Sequence, residues 1–224
     1  ALVDSGAVCV EMGEWDDAGR LLAEALATGE RLGLGVVTAP AHQVRALVHA
    51  RAGRLDDAIA AETLAVRAFA AQGDRRMEAA SRVIAARIWL AAGHLSEAEQ
   101  EVRRALTGQE LAPHVTVYGL AVLARVLLAR GDADEAGEPI DEAMLVLDGL
   151  GGVEAGESYV RLAYAEVLYA SADHARARRA ITAARARVLA RADLMSSPRW
   201  RASFLEAVEE NARTLALADA WGVA

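Results

Sequence analysis

His42 and His49 stand seven residues apart, on one face of a helix two turns on. They are the nearest the chain comes to a pair of metal ligands, while His94, His114 and His174 are scattered. A zinc site takes three or four ligands at closer spacing, so no metal is expected. Cys9 is the one cysteine. It excludes an internal disulfide and lacks the neighbouring base and electropositive setting that would make its thiol a nucleophile. GLGVV at 33–37 and GLGG at 149–152 have too few correctly spaced glycines to cradle a nucleotide, and no Gly-x-Ser-x-Gly elbow or kinase motif is present. No catalytic residue and no cofactor are expected. Any catalytic domain would lie outside this segment.

Charge narrows the partner. The 32 acidic residues outnumber 24 basic ones, giving a formal charge of -8, and no overall positive field is available to hold a phosphate backbone. Nucleic acid is therefore not expected. Every basic residue is Arg, a bias expected of a GC-rich bacterial genome. The longest apolar stretches, such as LAVLARVLLA at 120–129, are broken by Arg, short of the roughly 20 apolar residues of a membrane helix. With no signal peptide and one cysteine, a cytoplasmic setting is expected. The chain opens at Ala1 inside a helical pattern, as an excised piece of a longer polypeptide would.

The elements that position these side chains are repeated. The pattern Gly-x-x-[acidic or polar]-x-Ala occurs as GEWDDA at 13–18, GRLDDA at 53–58, GHLSEA at 93–98 and GDADEA at 131–136, with a degenerate ADHARA at 172–177. The spacings of 40, 40, 38 and 41 residues mark a stacked-repeat protein. Seven residues after each motif Ala stand Ala25, Ala65, Ala105, Ala143 and Ala184, and seven before each motif start stand Gly6, Ala46, Ala86, Ala124 and Ala165. Small side chains at fixed places let paired helices approach closely.

Each motif Gly follows a helical pattern and can take the left-handed conformation that closes a helix. An apolar residue comes two positions later (Trp15, Leu55, Leu95), then Asp16, Asp56 or Ser96 in a position suited to an N-cap. Each unit thus reads as a helical hairpin. The first helices are expected near 1–12, 39–52, 75–92, 114–130 and 153–171, and the second near 16–32, 56–72, 96–109, 133–149 and 173–194. Between units, GLGVVTAP, AQGDR, GQELAP and GLGGVEAG read as turns. Ala is about a quarter of the chain and favours an all-α fold.

The small-residue columns resemble those of the tetratricopeptide repeat (TPR), across roughly residues 1–194. The period of about 40 departs from the common 34, and the Pro that often ends each unit is lacking. Longer units of this kind look like the arrays of bacterial multidomain signalling proteins, such as ATPase transcription activators and eukaryotic-like Ser/Thr protein kinases, which implies a catalytic or DNA-binding domain upstream. The resemblance implies an all-α superhelix, or solenoid, of about five hairpins over 1–195, with units near 1–35, 36–73, 74–112, 113–151 and 152–195. In the same frame His42 and His49 fall where the family packs aromatics, and Cys9 shares a column with His49, Trp89, Leu127 and Leu168.

In that family the first helix of each hairpin lines a concave face. Carried over by column, the face comprises Gln43, Leu47 and Arg51; Val83, Arg87 and Leu90; Tyr118, Arg125 and Leu128; and Tyr159, Leu162, Glu166 and Tyr169. Three tyrosines with Arg51, Arg87 and Arg125 suit a peptide or helix bearing an acidic group, since aromatics and Arg carry much interface energy. Internal pairing of Arg87 and Arg125 is the competing expectation.

Arg176, Arg178, Arg179, Arg185, Arg187 and Arg191 in the fifth unit face the acidic Asp134, Glu135, Glu138, Asp141 and Glu142 of the fourth in a stacked array, so an inter-repeat charge network is expected. The segment 196–224 reads as one or two capping helices starting at Ser197 and Pro198. The expected function is a non-enzymatic protein-interaction module; ligand sensing by a closing groove and self-assembly are the alternatives.

Overall fold

The computed structural model describes residues 1–107, 111–153 and 155–223. Among them the chain forms twelve α-helices and no strand. Its contacts divide it into two compact units, Ala1–Leu111 and Ala112–Ala224. The first holds α1 (Leu2–Glu11), α2 (Trp15–Arg31), α3 (Gly35–Arg51), α4 (Leu55–Gln72), α5 (Arg75–Ala91) and α6 (Leu95–Leu106). The second holds α7 (Pro113–Arg130), α8 (Ala133–Gly149), α9 (Glu157–Ala170), α10 (His174–Asp193), α11 (Pro198–Glu206) and α12 (Glu209–Ala220).

Each hairpin turns on one backbone device. Gly13, Gly53, Gly93 and Gly131 have φ of +77°, +72°, +79° and +92°. The next amide (Glu14, Arg54, His94, Asp132) donates to the carbonyl five residues back, at 2.8 to 3.0 Å, closing the helix in a Schellman arrangement. The fifth turn makes the same bond, Asp173 N–H to Leu168 O at 3.0 Å, with Ala172 at φ +61° in place of glycine.

The turn leaves so little chain that the second helices begin at Trp15, Leu55 and Leu95. Asp16, Asp56 and Ser96 are therefore not N-caps, as the spacing suggested. They are second helical residues, where Asp16 and Asp56 still favour the positive end of the helix dipole.

The three small-residue columns are buried throughout, their alanines at most 2% exposed. At Gly6 an added Cβ would lie 3.2 Å from the Leu22 side chain. Within the first unit α1 to α6 pack each on the next, with α1 also touching α3 and α3 touching α5. Within the second, α7, α8 and α9 pack mutually, α10 packs on α9, and α12 returns to both α9 and α10.

Several boundaries differ from the expected ones. α3 starts at Gly35, so most of GLGVVTAP is helix and Pro40 lies inside it. α2 closes at Gly33, φ +65°, with Leu34 N–H donating to Gly29 O at 2.8 Å, so α3 starts at once. Gly29 lets the two helices meet closely, since a Cβ there would lie 2.8 Å from Thr38 Cγ2. α6 ends at Leu106, and the expected extension to 109 and part of GQELAP lie outside the described residues. α9 begins at Glu157 instead of 153, behind Gly156 at φ +80°; Glu154 lies outside the described residues. The tail forms two helices, and the Ser197 side chain accepts from Trp200 N–H at the start of the first.

Candidate interaction surface

In the first unit, α3 and α5 place the predicted residues as follows. Gln43 Nε2 donates to Ser81 Oγ at 2.9 Å, tying α3 to α5. Leu47 packs against the cluster of Val10, Leu22, Leu26 and Val44. The Arg51 guanidinium lies over the Trp15 ring, 5.3 Å from its centroid. Arg87 and Leu90 are half-buried, while Val83 is only 1% exposed and supports the face from beneath.

In the second unit the same columns form a connected strip. Tyr118 of α7 meets Tyr159 of α9 with ring centroids 5.0 Å apart. Their approach is possible because residue 156 is glycine: a Cβ there would come within 2.8 Å of the Tyr118 ring. Arg125 sits 5.0 Å over the Tyr159 ring and pairs with Glu166 at 3.2 Å. Arg213 of α12 donates to the other Glu166 oxygen. Tyr169, 45% exposed, stacks on Trp221 at 4.5 Å with the planes 9° apart, and also meets the His174 ring at 4.6 Å. Leu128 is half-buried, whereas Tyr159 and Leu162 are 2% and 1% exposed. Glu166 thus holds two guanidiniums, so the triad carries a net positive charge.

Arg213 and Trp221 were absent from the predicted face. The tail contains no copy of the repeat motif, yet α12 ends as the first helix of each hairpin does: Gly222 has φ +65°, and Val223 N–H donates to Ala218 O at 3.0 Å. Trp-Gly at 221–222 was the available signal. Through Ala218, Leu217 and Trp221, α12 packs on Leu162, Ala165 and Ile181, against both helices of the preceding hairpin.

The expected network between α8 and α10 is represented by the Arg176–Asp141 pair at 3.3 Å. Arg187 turns elsewhere, to Glu157 of α9 through Nε and Nη2 at 2.9 and 3.0 Å, and Arg161 joins the same carboxylate at 2.7 Å. The physical reason is that α9, which packs on both α8 and α10, offers the nearer acid. Burial pushes the Glu157 carboxyl up, but hydrogen bonds from Arg187 and Arg161 outweigh it and hold the group below its ordinary range.

His42 and His49 are half-buried, and burial, then a neighbouring arginine (Arg45 and Arg54 respectively), lowers the pKa of each. No group of three metal-ligating side chains occurs among the described residues. Burial, then Asp17 and Glu14, raises the Cys9 thiol, which makes it a poor nucleophile. No helix among the described residues is long and apolar enough to cross a membrane.

No protein-family model and no curated protein matches the chain. Solved structures do. Two crystal structures of a Podosopora anserina protein, described as a kinesin light chain with nearly identical TPR-like repeats, superpose with TM-scores of 0.59 and 0.57. The fold is of the tetratricopeptide-repeat type. The first match covers 83% of this chain and 92% of the other, and the second 88% and 96%, each at 17% identity. At that identity the likeness to the TPR-like structures is one of fold.

Proposed function

We propose that the chain is a non-enzymatic interaction module. Within each unit taken by itself, side chains of α3 and α5 in the first, and of α7, α9 and α12 in the second, receive a protein segment, a peptide or helix bearing an acidic group. The observation that carries this reading is the strip from Tyr118 to Trp221. It places aromatic rings and two guanidiniums around one carboxylate on consecutive inner helices, and it leaves Tyr169 half-exposed. Side chains already fixed by stacking and ion pairs lose little freedom when a partner arrives, so more of the contact energy appears as affinity. The resemblance to arrays of bacterial signalling proteins supports a regulatory role, in the cytoplasm, beside a catalytic domain of a longer chain.

The test uses three single variants: Arg87→Glu on the first inner face, Tyr169→Glu on the second, and Leu145→Glu as a control on α8, where Leu145 is 75% exposed. Proteins captured from the source organism's lysate would be compared by mass spectrometry, with helical circular dichroism verifying the fold. Loss of a captured protein by an inner-face variant, with retention by the control, supports the reading. Equal capture by all three variants overturns it.

A further inference from the structure

Glu62, on α4, is wholly buried, and neither carboxyl oxygen has a hydrogen-bond partner of good geometry among the described residues. It lies on the same buried stripe as Ala58, Ala61 and Ala65, yet it interrupts the apolar core of this hairpin. On one side Ala46, Ala58, Ala61 and Ile88 form one cluster; on the other Ala39, Ala65 and Phe69 form a second, with Met77 against it. Between them run three polar side chains from three helices: Gln43 on α3, Ser81 on α5 and Glu62 on α4. Gln43 donates to the buried Ser81 hydroxyl, which lies near enough to the Glu62 carboxyl to favour its charged form in part.

Burial raises the pKa of Glu62 well above its ordinary value, and Ser81, acting the other way, offsets only part of this. Charged groups do stand on the two helices packed against α4. On α3 these are His42, Arg45, His49 and Arg51, with Arg45 beside the His42 ring and Arg51 over Trp15. On α5 they are Arg75, Arg76, Glu78, Arg82 and Arg87, with Arg82 held by Glu78 and Glu101. Among the described residues, burial and the Ser81 hydroxyl are the two causes that set the Glu62 shift.

We propose that Glu62 is a proton-operated latch: neutral, it completes the polar layer that joins α3, α4 and α5, and ionised, it opens the packing of α4 on α5 to admit water. An isolated carboxylate is not stable in an apolar interior, so the charge and the closed packing exclude each other. Between the carboxylate range of the open chain and the higher value of the closed one, the open population rises about tenfold per pH unit. Because Ser81 also holds Gln43, opening displaces an inner-face side chain. That last step alone rests on reading the face as a binding surface.

Urea unfolding of the wild-type chain and of Glu62→Gln at pH 5, 6.5 and 8 tests the latch independently of any partner. The variant is expected to have the higher midpoint at pH 8, with the gap closing toward pH 5. A gap that does not change with pH overturns the proposal and leaves Glu62 a packing residue. Should the variant not fold, amide hydrogen exchange of the wild type decides: protection factors in α4 and α5 fall with rising pH relative to α9 and α10. A uniform change across all four helices overturns the latch.

Discussion

Glu62 and Glu157 are the same residue in nearly the same burial, at 0% and 3% exposure, yet the chain treats them in opposite ways. Glu157 meets two guanidiniums and is held below the ordinary carboxylate range, whereas Glu62 meets a hydroxyl and two apolar clusters and is pushed well above it. Burial pushes both carboxyls up, so what separates them is whether a guanidinium is there to reverse the push. The neighbouring helix decides it, by supplying arginine or not. The pH dependences follow with opposite signs. Stability from Glu157 is present above the unfolded carboxylate range and is lost as pH falls through its depressed value; stability from neutral Glu62 is full below that range and is lost as pH rises through its raised value.

The largest expected effect breaks the paired member. Glu157→Ala leaves Arg161 and Arg187 without their shared acid. Removing one partner from a buried pair costs about 3 to 5 kcal/mol, and the half-exposed Arg187 places this case near about 3. The urea midpoint at pH 7 should fall accordingly, and the acid limb of the stability profile should flatten. A loss under about 1 kcal/mol, the worth of an exposed pair, would erase the contrast with Glu62.

Ser81→Ala sharpens the other member. It removes the acceptor of the half-buried Gln43 amide and the hydroxyl beside Glu62, a loss of about 1 kcal/mol. The cost should be read as a lower unfolding midpoint at pH 5, the acid end of the series, where the raised Glu62 carboxyl is most protonated. An unchanged midpoint would mean that the polar layer does not join the helices.

Much of this was written in the residue pattern. The glycine turns and the alanine columns were readable because backbone geometry and close helix approach each admit few residue types. Glu62 was readable in principle: Ala58, Ala61, Glu62 and Ala65 stand at i, i+3, i+4 and i+7, the buried stripe of a helix. The composition rule that acids lie outside hid it. A column carried over from a family carries no depth, so the burial of Val83, Tyr159 and Leu162 was not visible in it. Arg213 and Trp221 escaped because α12 reproduces the helix stop without the motif that follows it.

The smallest effect compares the turns of the two units. Every turn of the form helix, Gly, helix within the first unit uses glycine, whereas the turn between α9 and α10 forces Ala172 to φ +61°. A left-handed alanine costs roughly 1 to 2 kcal/mol, part of which glycine returns through the greater freedom it gives the unfolded chain. Ala172→Gly should therefore raise stability by about 1 kcal/mol, and Gly53→Ala should lower it by a similar amount. An added Cβ at Gly53 meets nothing within 4 Å, so the Gly53 change reads backbone strain alone. Thermal unfolding of both variants beside the wild type would show two shifts of opposite sign. If Ala172→Gly gave no gain while Gly53→Ala cost the expected amount, the contacts around the fifth turn would already offset its strain, and that turn would be as sound as the glycine turns it replaces.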